Sequence, residues 1–196
     1  MKKIFLCAAL AVFGFTQSKA QDDFVDKAKN GGFYVGANIG LPLSTTSDIT
    51  AFNFGFDGAY LFEVIDNLEV GGLLGYTHYL ADGSYTTYNW DDDYYFARDY
   101  KDASFVPIAA SARYYFGDHK FFGGIDLGVA VNVSGDAKSG FYARPKFGFD
   151  LGVVALIASF QSISGGVDYD DDYYYGSTYV STSGFSSFNF GVEFGF

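Results

Sequence analysis

The strict alternation at the end of the chain constrains the fold more than any other sequence feature. Asn189, Gly191, Glu193 and Gly195 separate apolar residues that occupy every second position, namely Phe188, Phe190, Val192, Phe194 and Phe196. A period of two places alternate side chains on opposite faces of a β-strand. Four phenylalanines on one strand face are rare in soluble proteins, whereas a strand that contacts lipid carries such a face routinely. The segment therefore predicts a β-strand with one face toward a membrane.

The beginning of the chain has the features of a secretory signal peptide. Lys2 and Lys3 form a basic start, and residues 4–15 form an apolar run that is too short to span a bilayer as a helix. Ser18-Lys19-Ala20 has the small-x-small pattern of a cleavage site. We therefore expect residues 1–20 to be removed and residues 21–196 to form one mature domain.

Cleavage at this site changes the cysteine content and the charge of the chain. Cys7 lies inside the apolar run, so the mature protein has no disulfide and the position does not fit a lipoprotein. Loss of Lys2, Lys3 and Lys19 lowers the formal net charge from −11 by three, to −14. Such an acidic chain is a poor nucleic-acid binder. A content of 21% aromatic residues with 25 glycines and only three prolines suits a transmembrane barrel, whose strands are half apolar.

Alternating patterns predict eight strands in all. The predicted ranges are Phe33–Leu41, Ile49–Phe62, Leu68–Leu80, Ala103–Phe116, Phe121–Val133, Phe141–Leu151, Leu156–Val167 and the C-terminal strand. The faces of the seventh strand are ambiguous, and Pro145 predicts a bulge in the sixth. Short and longer connections alternate, as in membrane barrels with short periplasmic turns and longer outer loops. The fold class predicted is all-β, a closed antiparallel eight-stranded transmembrane barrel. The soluble rival is a lipocalin-like barrel, which would be apolar inside and polar outside.

With its signal peptide, strand count, loop alternation and terminal Phe188–Phe196 pattern, the mature chain resembles the small bacterial outer-membrane barrels of the OmpA and OmpX type. Its Asp- and Tyr-rich loops resemble those of members from the Bacteroidetes. The resemblance implies a place in the outer membrane of a Gram-negative bacterium, with extracellular loops and periplasmic termini. It also implies contact with outer-membrane lipid and lipopolysaccharide. The terminal pattern would be the signal that the barrel assembly machinery reads.

The alternation also directs charged side chains of both signs into the barrel. Because unpaired charges there would be costly, we expect them to pair, with Asp126 next to Lys146 and Glu69 near Arg113. An eight-stranded barrel has an interior that side chains fill, which favours a polar plug. The alternative is a narrow channel for small solutes. The predicted inward set is Asp57, Glu69, Arg113, Asp126, Arg144, Lys146, Asp150 and Glu193.

Two predicted loops carry similar Asp/Tyr clusters, which are candidates for surface binding. Tyrosine gives rigid amphipathic contact area, so the clusters fit either an adhesin-like surface for a host or cell-surface ligand or an anchor at the lipid headgroups. An EF-hand is excluded because Tyr173 and Tyr179 replace its glycine and closing glutamate. No cofactor is predicted, although a weak divalent cation site among the acids stays open. The candidates are Trp90, Asp91, Asp92, Asp93, Tyr94 and Tyr95, and Asp170, Asp171, Asp172, Tyr173, Tyr174 and Tyr175.

The chain has two histidines, and neither has the sequence context of a catalytic residue. His119 lies in a predicted periplasmic turn, and His78 lies near the outer end of the third strand. Ser84 and Asp82 are close to His78 in sequence, but Tyr76 suggests that His78 belongs to an aromatic girdle instead. We therefore predict a structural or surface-interaction protein and not an enzyme, with a lipid-modifying outer-membrane enzyme as the remote alternative.

Overall fold

The computed structural model describes residues 31–89, 94–169 and 180–196, with no side-chain description for 85–98 and 168–182. The predicted signal peptide, residues 1–20, lies outside the described part. The strands, in chain order, are β1 (Gly32–Pro42), β2 (Thr50–Ile65), β3 (Leu68–Ala81), β4 (Ser84–Asn89), β5 (Tyr94–Asp99), β6 (Ala103–Phe116), β7 (Phe121–Ser134), β8 (Gly140–Asp150), β9 (Val154–Ile163), β10 (Val167–Tyr169), β11 (Val180–Thr182) and β12 (Phe185–Gly195).

Eight of these strands close into an antiparallel barrel in the order β1-β12-β9-β8-β7-β6-β3-β2. Closure occurs at β1, which pairs with β12 on one edge and with β2 on the other. Ala37, for example, lies opposite Val192 on one side and opposite Phe56 on the other. The predicted all-β fold, the strand number and the closure are therefore confirmed.

The two ends of the barrel differ in their connections. At the end that we call the turn end, short turns join β2 to β3, β6 to β7 and β8 to β9, and Gly32 and Gly195 lie there as well. The opposite, loop end carries the longer connections and a short 3-10 helix, Ser44–Thr46. Two separate hairpins, β4–β5 and β10–β11, belong to these connections. The sequence predicted both segments only as loops.

The side chains of the barrel strands alternate as the sequence predicted. Along β7, for example, Asp126 and Ala130 are buried while Leu127 and Val129 are exposed. Every barrel strand contributes exposed apolar side chains. No outward position of the eight barrel strands is occupied by Asp, Glu, Lys or Arg. We call this outward surface the apolar belt. Examples, one from each barrel strand, are Ile39, Phe56, Leu74, Ile108, Leu127, Phe147, Leu156 and Phe190.

Two expectations about strand detail need correction. The seventh predicted strand is β9, which begins at Val154 and ends at Ile163, so the prediction lay too far along the chain. No register shift occurs at Pro145, which lies opposite Ile125 of β7. The ladder to β9 instead omits the pairs of Arg144 and Pro145 and resumes in the same register, because proline has no N–H to donate.

Gly148 of β8 leaves space for the ring of Phe122, which lies directly opposite on β7 and is fully buried. A Cβ at Gly148 would overlap that ring. We expect Gly148→Ala to lower the free energy of unfolding by about 1–3 kcal/mol through overpacking, measured by urea titration of the folded barrel. Gly72→Ala is the matched control, because nothing lies within 4 Å of a Cβ there. Equal effects of the two substitutions would contradict the packing argument.

Candidate functional site

Four charged side chains from β2, β7 and β8 form a central charge cluster inside the barrel. Asp126 accepts hydrogen bonds from Lys146 Nζ at 2.7 Å and from Arg144 Nε at 2.8 Å. Arg144 Nη1 also donates to Asp57 at 2.8 Å. Lys146 has a second acceptor, the hydroxyl of Ser111, at 3.2 Å. The pairing of Asp126 with Lys146 predicted from the sequence is confirmed, and two acids balance two bases.

A second group, the turn-end charge cluster, consists of Glu69, Arg113 and Glu193. Arg113 donates to both carboxylate oxygens of Glu193, at 2.7 and 3.0 Å, and its Nε lies 3.9 Å from Glu69. Its guanidinium also lies between two rings, 4.4 Å from the centroid of Tyr34 and 4.7 Å from that of Phe122. Glu69 does lie beside Arg113 as predicted, but the main partner is Glu193.

Charge in the turn-end cluster is not balanced, because two carboxylates face one guanidinium. Hydroxyl groups stabilise the excess negative charge, since Tyr34 and Tyr115 both donate to Glu69. The shortest contacts are 3.1 Å from Tyr34 and 3.4 Å from Tyr115. All three charged side chains of the cluster are buried. This cluster therefore fixes β1, β3, β6 and β12 to one another across the barrel interior.

Toward the loop end the interior changes from charged to aromatic. Tyr79, Phe105 and Phe185 are almost fully buried, with ring centroids 5.0 to 6.2 Å apart. Below them, Gln161 donates to the Tyr79 hydroxyl at 3.0 Å, and Asn53 donates to Asn189 at 2.7 Å. This packing fills the described barrel interior beneath the loops.

At the turn end the interior opens into a cavity of about 980 Å³. Its inner wall is formed by Tyr34, Arg113 and Tyr115, so the cavity stops at the turn-end charge cluster. Asp150, predicted to belong to the interior network, lies at the rim of this cavity and accepts the Gly152 N–H at 2.6 Å. It joins neither charge cluster.

The predicted surface-binding residues lie where the structure describes no side chains. Trp90, Asp91–Asp93 and Asp170–Tyr175 lie outside the described residues, as do the side chains of Tyr94 and Tyr95. A cation site among these acids therefore stays a prediction. In residues 31–89, 94–169 and 180–196, no group of three or more His, Cys, Asp or Glu is placed to hold a metal ion.

The two histidines have different surroundings. His119 lies in the β6–β7 turn, with its ring 5.5 Å from that of Tyr115. The His78 ring stacks on Tyr76, which agrees with the predicted aromatic girdle. Besides the Tyr76 hydroxyl, 3.4 Å from Nδ1, its polar contacts are Ser104 and Asp102, and not the serine and aspartate that follow it closely in sequence. Sequence reasoning missed both residues, since only the pairing of β3 with β6 brings them to His78.

The described residues thus define a closed eight-stranded antiparallel β-barrel with an apolar outer surface. Charged and aromatic side chains fill its interior above the turn-end cavity. In this part of the chain, no helix is long and apolar enough to cross a membrane. No protein-family model matches the chain, and a search of the curated proteins gives no match.

Proposed function

We propose that this chain is an integral outer-membrane protein of the small OmpA/OmpX type, with a plugged barrel and a role in surface interaction. The single observation that carries the proposal is the apolar belt, which surrounds the barrel on all eight strands and contains no Asp, Glu, Lys or Arg. A lipocalin-like barrel has the opposite arrangement, with apolar side chains around an inner cavity and polar ones outside. A lipid surround would explain why the charged side chains of the barrel strands are absent from the outward face.

The orientation follows from the two barrel ends. In outer-membrane barrels the short turns face the periplasm and the longer connections face outward. The turn end would then be periplasmic, together with both termini of the barrel, and the loop end with its β4–β5 and β10–β11 hairpins would be extracellular. The expected partners are outer-membrane lipid, lipopolysaccharide and the barrel assembly machinery, which would read the terminal strand.

Arginine in the apolar belt distinguishes a membrane barrel from a soluble one. Leu127 lies outward in the middle of β7 and is 42% exposed. We expect Leu127→Arg to lower the free energy of unfolding from lipid vesicles by about 2–4 kcal/mol, because a guanidinium near the bilayer midplane is costly. The measurement is urea unfolding of the vesicle-inserted barrel, with heat-dependent gel mobility as the sign of folding.

Leu43→Arg provides the control, because Leu43 is similarly exposed but lies in the connection after β1. We expect a change below about 1 kcal/mol there, since the side chain reaches the interface. If Leu127→Arg is as harmless as Leu43→Arg and the protein stays folded without lipid or detergent, the membrane assignment fails.

Binding would reside in the two loop-end hairpins. The strands β4 and β5 pair with each other, and β10 and β11 do likewise, so both hairpins lie outside the closed barrel sheet. We expect deletion of residues 90–95 and 170–175 to abolish adhesion of cells displaying the protein to host matrix or to other cells. The barrel should still fold, because the described strands that flank these segments pair with each other and not with the barrel strands. The measurement is the number of adhering cells, and surface labelling of the same cells shows how much protein they display.

The same deletion also tests the channel alternative. The packed rings of Tyr79, Phe105 and Phe185 support a silent barrel, so planar bilayers should show no steady conductance with either protein. Steady conductance combined with unchanged adhesion after both deletions would move the function from the loops to the barrel lumen.

A further inference from the structure

A serine, a histidine and an aspartate lie on the outer wall of the barrel near the loop end, with the histidine between the other two. Ser104 Oγ lies 2.7 Å from His78 Nδ1, and His78 Nε2 lies 3.4 Å from Asp102 Oδ2. His78 and Ser104 are directly opposite on the neighbouring strands β3 and β6. Both point away from the charged interior, toward the surface that the apolar belt forms.

Asp102 and Ser104 are each held by a further contact. Asp102 accepts the Ala81 N–H at 2.8 Å through its other carboxylate oxygen. The Ser104 carbonyl accepts a hydrogen bond from Asn132 Nδ2 at 3.3 Å. The register of β6 against β7 shifts between Ser104 and Phe105, and such irregularities redirect side chains, often beside active sites. The backbone therefore holds the serine in a defined position against the histidine.

The polarity of the contacts fits a nucleophile activated by a base. With Nε2–H directed at the Asp102 carboxylate, the Nδ1 lone pair of His78 accepts the Ser104 proton. This is the arrangement in which a serine attacks, a histidine carries the proton and a carboxylate orients the histidine. Tyr76 donates its hydroxyl to Ser104 Oγ at 3.1 Å, which leaves the serine proton free to point at His78.

We propose that Ser104, His78 and Asp102 form the catalytic site of an esterase that hydrolyses acyl esters of membrane lipids. The substrate class rests on the proposed membrane location, because the site lies at the loop-end margin of the apolar belt, beside lipid acyl chains. His78 lies three residues before the end of β3, which corresponds to the outer-leaflet interface in the orientation proposed above. Glycerophospholipids and lipopolysaccharide both carry acyl ester groups at the depth of this interface.

The reaction balances with water as the second reactant. Ser104 Oγ bonds to the ester carbonyl carbon while its proton moves to His78 Nδ1, and Asp102 stabilises the resulting imidazolium. The bond from that carbon to the alcohol oxygen then breaks, and His78 protonates the departing alcohol. Water attacks the acyl-serine, loses its proton to His78, and releases the fatty acid as the proton returns to Ser104.

We expect access to Ser104 to depend on Tyr76. Ser104 is only 2% exposed, whereas Tyr76 is an exposed member of the apolar belt. Because the Tyr76 hydroxyl contacts Ser104 Oγ, we expect rotation of the Tyr76 ring away from the strand to expose that oxygen. Tyr76→Ala should therefore speed the reaction of Ser104 with a small fluorophosphonate, while Tyr76→Phe, which keeps the ring, should leave that access nearly unchanged.

The test uses the folded full-length mature protein, a fluorophosphonate probe, and fatty-acid release from two kinds of vesicle. One kind contains only phosphatidylethanolamine and phosphatidylglycerol, and the other also contains lipopolysaccharide. We expect the probe to modify Ser104, and Ser104→Ala and His78→Gln to lower fatty-acid release at least about 100-fold. Ser162→Ala, at an outward serine of β9, should change neither readout.

Asp102 would act through His78 as a positioning residue. Asp102→Asn should lower hydrolysis and change its pH profile, and Asp102→Glu should restore part of the rate. Release from one kind of vesicle alone would identify the lipid source. Equal probe labelling of wild-type protein and Ser104→Ala, or labelling of Ser104 with no fatty-acid release from either vesicle, would overturn the proposal. Heat-dependent gel mobility of each variant shows that it is folded.

Failure of the membrane proposal gives a different result. A protein that does not insert into vesicles would contradict the membrane location. Ser104 labelling and hydrolysis of a soluble ester, p-nitrophenyl butyrate, would then still decide whether the three residues act as a catalytic group. If the protein does insert into vesicles but shows neither reaction, the membrane proposal stands and the esterase proposal fails.

Discussion

We expect replacement of Arg113 with methionine to lower the free energy of unfolding by about 3–5 kcal/mol, the cost of leaving buried carboxylates without their cation. Arg113 is 1% exposed and forms two hydrogen bonds with Glu193. Its loss leaves Glu193 and Glu69 facing one another across the interior, and it also removes the stacking on Tyr34 and Phe122. The measurement is urea unfolding of the barrel in lipid vesicles.

The double variant Arg113→Met/Glu193→Gln separates charge from packing. Removal of both partners should recover much of the loss, because a single remaining carboxylate, Glu69, keeps its bonds from Tyr34 and Tyr115. If the double variant is as unstable as Arg113→Met alone, the effect comes from lost packing around the rings and not from the buried charges.

We expect Asp126→Asn to be about as damaging, again about 3–5 kcal/mol in the free energy of unfolding. Asp126 is fully buried and accepts hydrogen bonds from both Arg144 and Lys146. Its neutralisation leaves two cations against the single carboxylate of Asp57, so the central charge cluster gains a net positive charge. Asp126→Asn/Lys146→Met restores a balance of one acid and one base and should recover part of the loss.

An exposed ion pair supplies the control for this substitution. Asp136 pairs with Lys101 at 2.9 Å near the loop end, where both side chains are about half exposed or more. We expect Asp136→Asn to change the free energy of unfolding by less than about 1 kcal/mol. An equally small effect of Asp126→Asn would mean that water screens the barrel interior, which would favour the channel alternative over the plug.

Much of the fold could be predicted from the sequence, because the period-two pattern is a local property of each strand. The predicted fourth strand, Ala103–Phe116, coincides with β6, and the faces of β7 and β8 are as expected. Prediction was weaker where alternation is weak. The seventh strand was placed too late, because Ile157 and Ile163 are apolar residues that face inward on β9 and mask the pattern.

The sequence alone also determined which charges enter the barrel, since their parity along each strand fixes their face. It could not determine their partners. Arg113 and Glu193 are 80 residues apart, and they meet only because closure of the sheet brings β12 around to β1, across the interior from β6. The prediction therefore paired Arg113 with Glu69, its neighbour across the β3–β6 ladder, and missed the stronger bond across the lumen.

The same reason explains the proposed catalytic group. Composition and alternation placed His78 near the outer end of its strand, but the serine and aspartate closest in sequence, Ser84 and Asp82, are not its partners. Ser104 and Asp102 reach His78 through the register of β3 against β6 and the irregularity at Ser104. Strand identity and side-chain face are local and were determined by the sequence. Register and closure belong to the whole sheet, so only the tertiary structure decided which side chains meet.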